Sequence, residues 1–320
     1  MAKHLTTWIF RVAGEDAEKV VAARENAERS ISMRVHFGPA GNPPSFQAQG
    51  HKSSLDMPAW LKAQGLDAYE YQSVRGVHIK EDTARKLGEL ARENGVALSM
   101  HAPYYITLGT ADAGYREKTR MHLLKSIEAA HWMGASPVVF HPGTGGGEDR
   151  VATLKRAMDL LKEILDEAAE RGYGDVRVAP ETAGKPAQLG NLPEVLDLCT
   201  VSSRVVPAVD FAHLHAAGGG SLTTVEDFAR ILDLLESRLG RAALGHLHVH
   251  FSPIEFTGKG EKRHRTLLDE GFGPDFTLLA RLLVERNVGA TIICESYDRQ
   301  AEDALVYKTI YQQLKQQFSR

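Results

Sequence analysis

The chain has 320 residues, 43% hydrophobic and 25% charged, which is the composition of a folded globular protein with ample material for a core. Its formal net charge of -3 argues against a domain that is basic all over, so any contact with nucleic acid has to rest on a local patch. Two cysteines, Cys199 and Cys294, are too few for a disulfide framework, and neither a signal-peptide pattern nor an apolar run of roughly 20 residues is present; a cytoplasmic protein that does not span a membrane is expected.

Residues 1–31 read as an N-terminal helical extension, with a charged helix over Gly14 to Ser30, and residues 32–320 as one catalytic barrel domain. From Met33 a repeating plan takes over. Strand MRVHF (33–37) leads through a Gly/Pro-rich loop to a helix at about 55–63. DAYEYQ (67–72) is followed by a helix over 81–94 that stops at Gly95, and VALSMH (96–101) by one over 114–133. SPVVFH (136–141) precedes a long helix at 150–171, VRVAPE (176–181) one at 192–199, and VVPAVD (205–210) one at 224–239. A strand at 244–250 with a helix at 275–286, and a strand at 290–295 with a helix at 301–317, complete eight strand–helix units. Eight alternations in one run predict right-handed crossovers, a parallel sheet and a closed (β/α)8 TIM barrel. Neither GPAGNPP nor HPGTGGGEDR has the spacing of a nucleotide-binding glycine loop.

Six apolar runs end in a residue able to hold a metal: His101, His141, Glu181, Asp210 with His213 three further on, His248 with His250, and Glu295. The C-terminal ends of barrel strands form the active site, so these residues are expected to converge. A lone histidine at a strand end is more often a hydrogen-bonded structural residue than a ligand. Six strand ends in agreement make coincidence a poor explanation. Imidazole and carboxylate without thiolate suit zinc, manganese or iron better than magnesium. Glu181, between histidine-bearing strands, is the natural bridge between two ions. His264 and His250 are further candidates, His246 is expected to be packed in the seventh strand, and His215 to be a loop residue.

The motifs HAPYYITL, VVFHPG, PETAGK, AVDFAHLHAAG, HVHFS, KRH and CES, over about residues 33–300, together resemble the endonuclease IV family of metal-dependent apurinic/apyrimidinic endonucleases, TIM barrels with a trinuclear zinc site. The resemblance implies that His101 and His141 bind one zinc, that Glu181 bridges it to a second completed by Asp210, His248 and Glu295, and that His213 and His264 hold a third. Two or three zinc ions are implied, with manganese or iron as alternatives, and Glu181 and Glu295 as the catalytic carboxylates. The implied activity is hydrolysis of the phosphodiester 5′ to an abasic site in damaged double-stranded DNA, with Tyr104 on a DNA-contacting loop. The chain departs from the family where Asp-Arg-His becomes Lys262-Arg263-His264, where the glutamate motif is shortened to Glu-Thr-Ala-Gly, and where His-Leu-Asn-Asp-Ser becomes His248-Val249-His250-Phe251-Ser252. The first of these replaces a carboxylate ligand by a cation.

Local positive charge for DNA is offered by the loop GKGEKRHR, through Lys259, Lys262, Arg263 and Arg265, with Lys185 and Arg150 nearby; the bland alternative is a solvated loop. Sugar isomerases and epimerases of the xylose-isomerase type are the competing expectation. They would use Glu181, Asp210, His248 and Glu295 around one ion, leaving His101 and His141 as substrate contacts. Oligomeric state is open, with a monomer favoured.

Overall fold

The structure, a computed structural model, describes residues 33–145 and 149–318; the helical extension expected over 1–31 lies outside them. Seven strands come first: β1 (Val35–Pro39), β2 (Ala68–Gln72), β3 (Ala97–His101), β4 (Val138–Phe140), β5 (Val178–Pro180), β6 (Ala208–Asp210) and β7 (Leu247–Phe251). A hairpin follows, β8 (Ile254–Thr257) and β9 (Gly260–His264), and β10 (Ala290–Cys294) comes last. Apart from the hairpin the ladders are parallel, in the orders β1-β10-β7-β6 and β2-β3-β4-β5. Parallel bridges Ala40–Glu70 and Glu181–Ala208 join the two sheets on both sides. The eight parallel strands therefore close into a (β/α)8 barrel with no free edge.

The helices start and stop where capping chemistry says they should. Asp112 caps the helix Ala113–Met133 by accepting from the Tyr115 N–H, and Gly134 ends it in the left-handed conformation at φ 64°. Asn191 and Glu194 form a capping box at the start of Leu192–Cys199. The eight helices expected from the sequence lie within two residues of their observed bounds. Three features differ. Short helices at Pro44–Ala48 and Phe211–Ala217 occupy βα loops, the loop expected over 258–265 is part of the β8–β9 hairpin, and β7 begins at Leu247 because a 3-10 turn takes up Arg241–Gly245. His246 consequently precedes the strand and is exposed, rather than packed in it.

Strand alternation decides which side chains enter the lumen. Tyr69, Leu98, Val138, Val178, Val209, Phe251 and Ile292 point outward into the sleeve of apolar packing between barrel and helices. Phe251 illustrates its strength, with Phe276, Tyr307 and Phe211 rings at 5.1, 5.4 and 6.2 Å. Truncating such an aromatic costs about 3–5 kcal/mol. Because Phe251 faces out, His248 and His250 face in, and a one-residue slip would reverse both. On the inner face Val139, Ala179 and Ala208 form a small apolar cluster separate from the sleeve.

Candidate metal centre

Each residue two positions beyond that inner cluster arrives at the barrel mouth on the same face. Val139 leads to His141, Ala179 to Glu181 and Ala208 to Asp210. Glu181 is fully buried, its backbone N–H bonded to the Phe140 carbonyl at 2.9 Å. Its two carboxylate oxygens serve different neighbours. Oε2 lies 3.2 Å from His101 Nε2 and 3.2 Å from His141 Nδ1, while Oε1 lies 3.0 Å from His250 Nδ1 and 3.4 Å from His213 Nδ1. One carboxylate thus stands between two sets of imidazoles, as a bridging ligand must.

The tautomers are set by backbone partners. His101 Nδ1 donates to its neighbour's carbonyl, that of Ala102, at 2.8 Å, which turns Nε2 toward Glu181. His213 Nδ1 donates to the Thr182 carbonyl at 2.9 Å, leaving Nε2 directed at Glu261 Oε2 at 3.6 Å. Asp210 Oδ1 caps the helix Phe211–Ala217 by accepting the His213 N–H at 2.7 Å.

Within this group of carboxylates and imidazoles, two buried atoms have no hydrogen-bond partner: Asp210 Oδ2 and His141 Nδ1. Each is a metal-ligand type, and each points into the group formed with Glu181. An orphaned acceptor of this kind costs about 1–3 kcal/mol unless something else binds it. Ligand-type atoms gather within 4.8 Å of one another in three overlapping sets around the mouth: His101, His141 and Glu181; Glu181, Asp210, His250 and Glu295; and Asp210, His213, His264 and Glu295. The donor chemistry and the two orphans fit divalent ions of the zinc, manganese or iron type.

The second set corrects an expectation. His248 was expected beside Asp210 and Glu295, but His250 stands there, with Nδ1 3.4 Å from Glu295 Oε1. His248 is two residues lower on β7 and meets Glu70 instead, Nε2 to Oε2 at 2.9 Å. Glu70 went unassigned in the sequence because DAYEYQ reads as an ordinary amphipathic strand. In a closed barrel its polar face is the lumen.

The hairpin supplies the rest. Its pairing shifts register between Glu255 and Phe256: Glu255 faces Arg263, Phe256 faces Glu261, and Lys262 is the extra residue. Lys262 turns outward onto Glu255 at 2.6 Å and Glu261 turns inward toward His213. A carboxylate therefore reaches this side of the centre despite the lysine. Glycines make the approach feasible. A Cβ on Gly184 would sit 2.7 Å from Glu261 Oε2, and one on Gly260 (φ 92°) 2.3 Å from the Gly184 carbonyl. His264 is oriented by Ser252, Nδ1 to Oγ at 2.7 Å, with Nε2 3.5 Å from Glu295 Oε2.

Electrostatics separate the ligands into two kinds. Burial opposes charge on His101, but the hydrogen bond and charge of Glu181 outweigh it and raise the imidazole to about 9; His213 reaches about 9 against the same burial through Asp210 and Glu181. Burial wins at His141 and His264, pushed down to about 4 and about 3. Burial and the charges of Glu181 and Asp210 lift Glu295 to about 7, against the pull of His250.

Above the ligands opens a cavity of about 530 Å³, lined also by Gln72, Tyr104, Lys185, Gln188 and Gln300. Tyr104 is 64% exposed and stacks on His141, ring centroids 6.0 Å apart at 15°. The basic cluster is less available than expected. Lys262, Arg263 and Arg265 all pair with Glu255, and Arg150 is held by Glu194; Lys259 is exposed.

A sequence model of the xylose isomerase-like TIM barrel family matches residues 58–316. An uncharacterized protein of Methanocaldococcus jannaschii is 32% identical over 260 residues, covering 81% of this chain and 91% of that protein. A probable endonuclease 4 of Staphylococcus saprophyticus is 29% identical over 209 residues, 63% of this chain and 67% of that one. Among solved structures, endonuclease IV of Thermus thermophilus superposes with a TM-score of 0.64 at 21% identity, over 89% of this chain and 99% of that one. A D-tagatose 3-epimerase-like protein gives 0.64 at 19%, over 89% and 100%. Likeness at these two identities speaks to the shared barrel. No described helix is long and apolar enough to cross a membrane. With a family match over most of its length and curated relatives of the endonuclease 4 type, the chain belongs to the xylose isomerase-like TIM barrel family, among its endonuclease IV-like members.

Proposed function

We propose that the chain is a metal-dependent phosphodiesterase that incises DNA 5′ to abasic sites, with Glu181 as the bridging carboxylate. The observation that carries this reading is the surplus of ligands. A single-ion isomerase needs one set of about four donors, which Glu181, Asp210, His250 and Glu295 already provide. His101 with His141, and His213 with His264, are then surplus to the ion and left at most to contact substrate, although His141 Nδ1 is buried without a hydrogen-bond partner. Joined through Glu181 on one side and through Asp210 and Glu295 on the other, the three sets suit several ions side by side.

Such ions supply a Lewis acid and a nucleophilic water at neutral pH. The chain's own residues do the rest. Glu181 fixes the spacing of the two histidine groups, Glu295 joins the His250 set to the His213–His264 set, and Tyr104 offers an exposed ring on which a base or sugar face can stack. Lys185 and Lys259 are left to meet phosphate, because Glu255 engages Lys262, Arg263 and Arg265. The damaged duplex is the proposed partner and zinc the proposed ion.

A second reading, epimerisation of a small sugar, is favoured by that same neutralised hairpin and by the amides of Gln72, Gln188 and Gln300 in the cavity. Gln300 Oε1 is buried without a partner, as a sugar-hydroxyl acceptor would be. Incision of a duplex carrying one tetrahydrofuran abasic analogue, after chelation and metal add-back, separates the two. The analogue cannot undergo β-elimination, so metal-restored cleavage leaving a 3′-hydroxyl is the expected result. Absence of cleavage by protein that retains its ions transfers the assignment to the epimerases.

A further inference from the structure

Glu70 lies on β2, is fully buried in the lumen, and takes no part in the three sets of ligands at the mouth. A buried carboxylate is costly unless donors surround it, and this one is surrounded. Oε2 accepts from Ser99 Oγ at 3.0 Å and His248 Nε2 at 2.9 Å; Oε1 accepts from Gln72 Nε2 at 3.1 Å; His250 Nε2 reaches both oxygens, at 3.1 and 3.2 Å. His250 is thereby committed at both nitrogens. Its Nδ1 faces Glu181 and Glu295 at the mouth, and its Nε2 faces Glu70 below.

Carboxylates face both nitrogens of His250, so the tautomer turns on the mouth: with an ion held there, Glu181 and Glu295 would be engaged by it, and the one proton of a neutral imidazole would be left to Nε2, facing the acceptor Glu70. We infer that Glu70 is a positioning residue of the centre: it holds the proton of His250 on Nε2, so that Nδ1 is presented as a ligand beside Glu181, Asp210 and Glu295. It clamps His248 Nε2 in the same way, two residues lower on β7. Glu70, His248 and His250 also place ligand-type atoms within 4.8 Å of one another, so a separate ion among them is the competing arrangement. The saturation of Glu70 by Ser99 and Gln72, and the commitment of His250 Nδ1 to the mouth, favour orientation. The inference rests on the metal-centre reading and is independent of whether the substrate is DNA or a sugar.

The test is metal content and affinity. Wild type, Glu70→Gln and Ser99→Ala are loaded in excess zinc, counted for ions per chain by mass spectrometry, then titrated with a competing chelator. Glu70→Gln is expected to keep the wild-type ion count in excess zinc and to lose about 10- to 100-fold in affinity for one ion, the usual effect of removing a residue that orients a metal ligand. Ser99→Ala, which removes one donor from Glu70, is expected to fall between the two. Loss of one ion per chain in Glu70→Gln overturns the inference and makes Glu70 a ligand. Wild-type affinity in Glu70→Gln overturns it as well, as does wild-type affinity in Ser99→Ala should Glu70→Gln not fold. A wild-type chain that holds no ion overturns the metal centre itself, and this role with it.

Discussion

His101, His141 and Glu181 are carried by three consecutive barrel strands, whereas Glu261 and His264 are carried by the β8–β9 hairpin outside the barrel. The first group sits on a closed parallel ladder backed by the apolar sleeve, and its geometry follows from strand alternation alone. The second depends on a register shift, on two glycines that let chain segments approach, and on Glu255 drawing three cations outward. The barrel half of the centre is inherited from the fold. The hairpin half is a local construction, and it carries the departure from the family's motifs in which a cation, Lys262, stands in place of a carboxylate ligand.

Substitution of the bridge should have the largest effect. Glu181→Gln keeps the size of the side chain but removes the charge that both histidine groups face. Charge stabilisation by a bound ion is worth several kcal/mol and each ~1.4 kcal/mol is tenfold, so kcat should fall by roughly a thousandfold or more, with loss of metal. Wild-type metal content and turnover in this variant would remove Glu181 from the role.

Gly184→Ala targets the hairpin half. The new Cβ falls 2.7 Å from Glu261 Oε2 and 2.9 Å from His213 Cδ2, so the carboxylate has to retreat. Affinity for an ion on the His213–His264 side should drop about tenfold or more while the His101–His141–Glu181 set keeps its own, a difference read by chelator titration of ions per chain. Equal weakening on both sides would show that the halves are not independent.

The smallest effect is one of pH. His101 and His213, raised to about 9, carry protons at pH 7 in the metal-free protein and have to shed them to become ligands; His141 and His264, at about 4 and about 3, are already neutral. Binding therefore releases protons, and apparent affinity should rise with pH up to about 9 and level off above it. Calorimetry of zinc binding in buffers of different ionisation enthalpy measures the protons released. A pH-independent affinity with no release would contradict the charge states assigned to His101 and His213.

Much of this protein is legible in its sequence. Alternating apolar runs and amphipathic helices spell the barrel, and residues that end those runs are bound to reach one mouth, because parallel strands in a closed sheet all point the same way. Gly95 and Gly134 mark helix ends through local backbone preference, which needs no tertiary context. Three matters were decided only by the tertiary structure. Whether His248 or His250 reaches the mouth depends on the register of β7 against its neighbours, which sets His250 level with Asp210 and His248 level with Ala208. Glu261 rather than Lys262 faces the centre because of a register shift that depends on pairing with β8, a contact no single strand encodes. Glu70 acquires its meaning only when the barrel closes, since the polar face of an isolated strand belongs to water and the same face of a closed barrel belongs to the lumen.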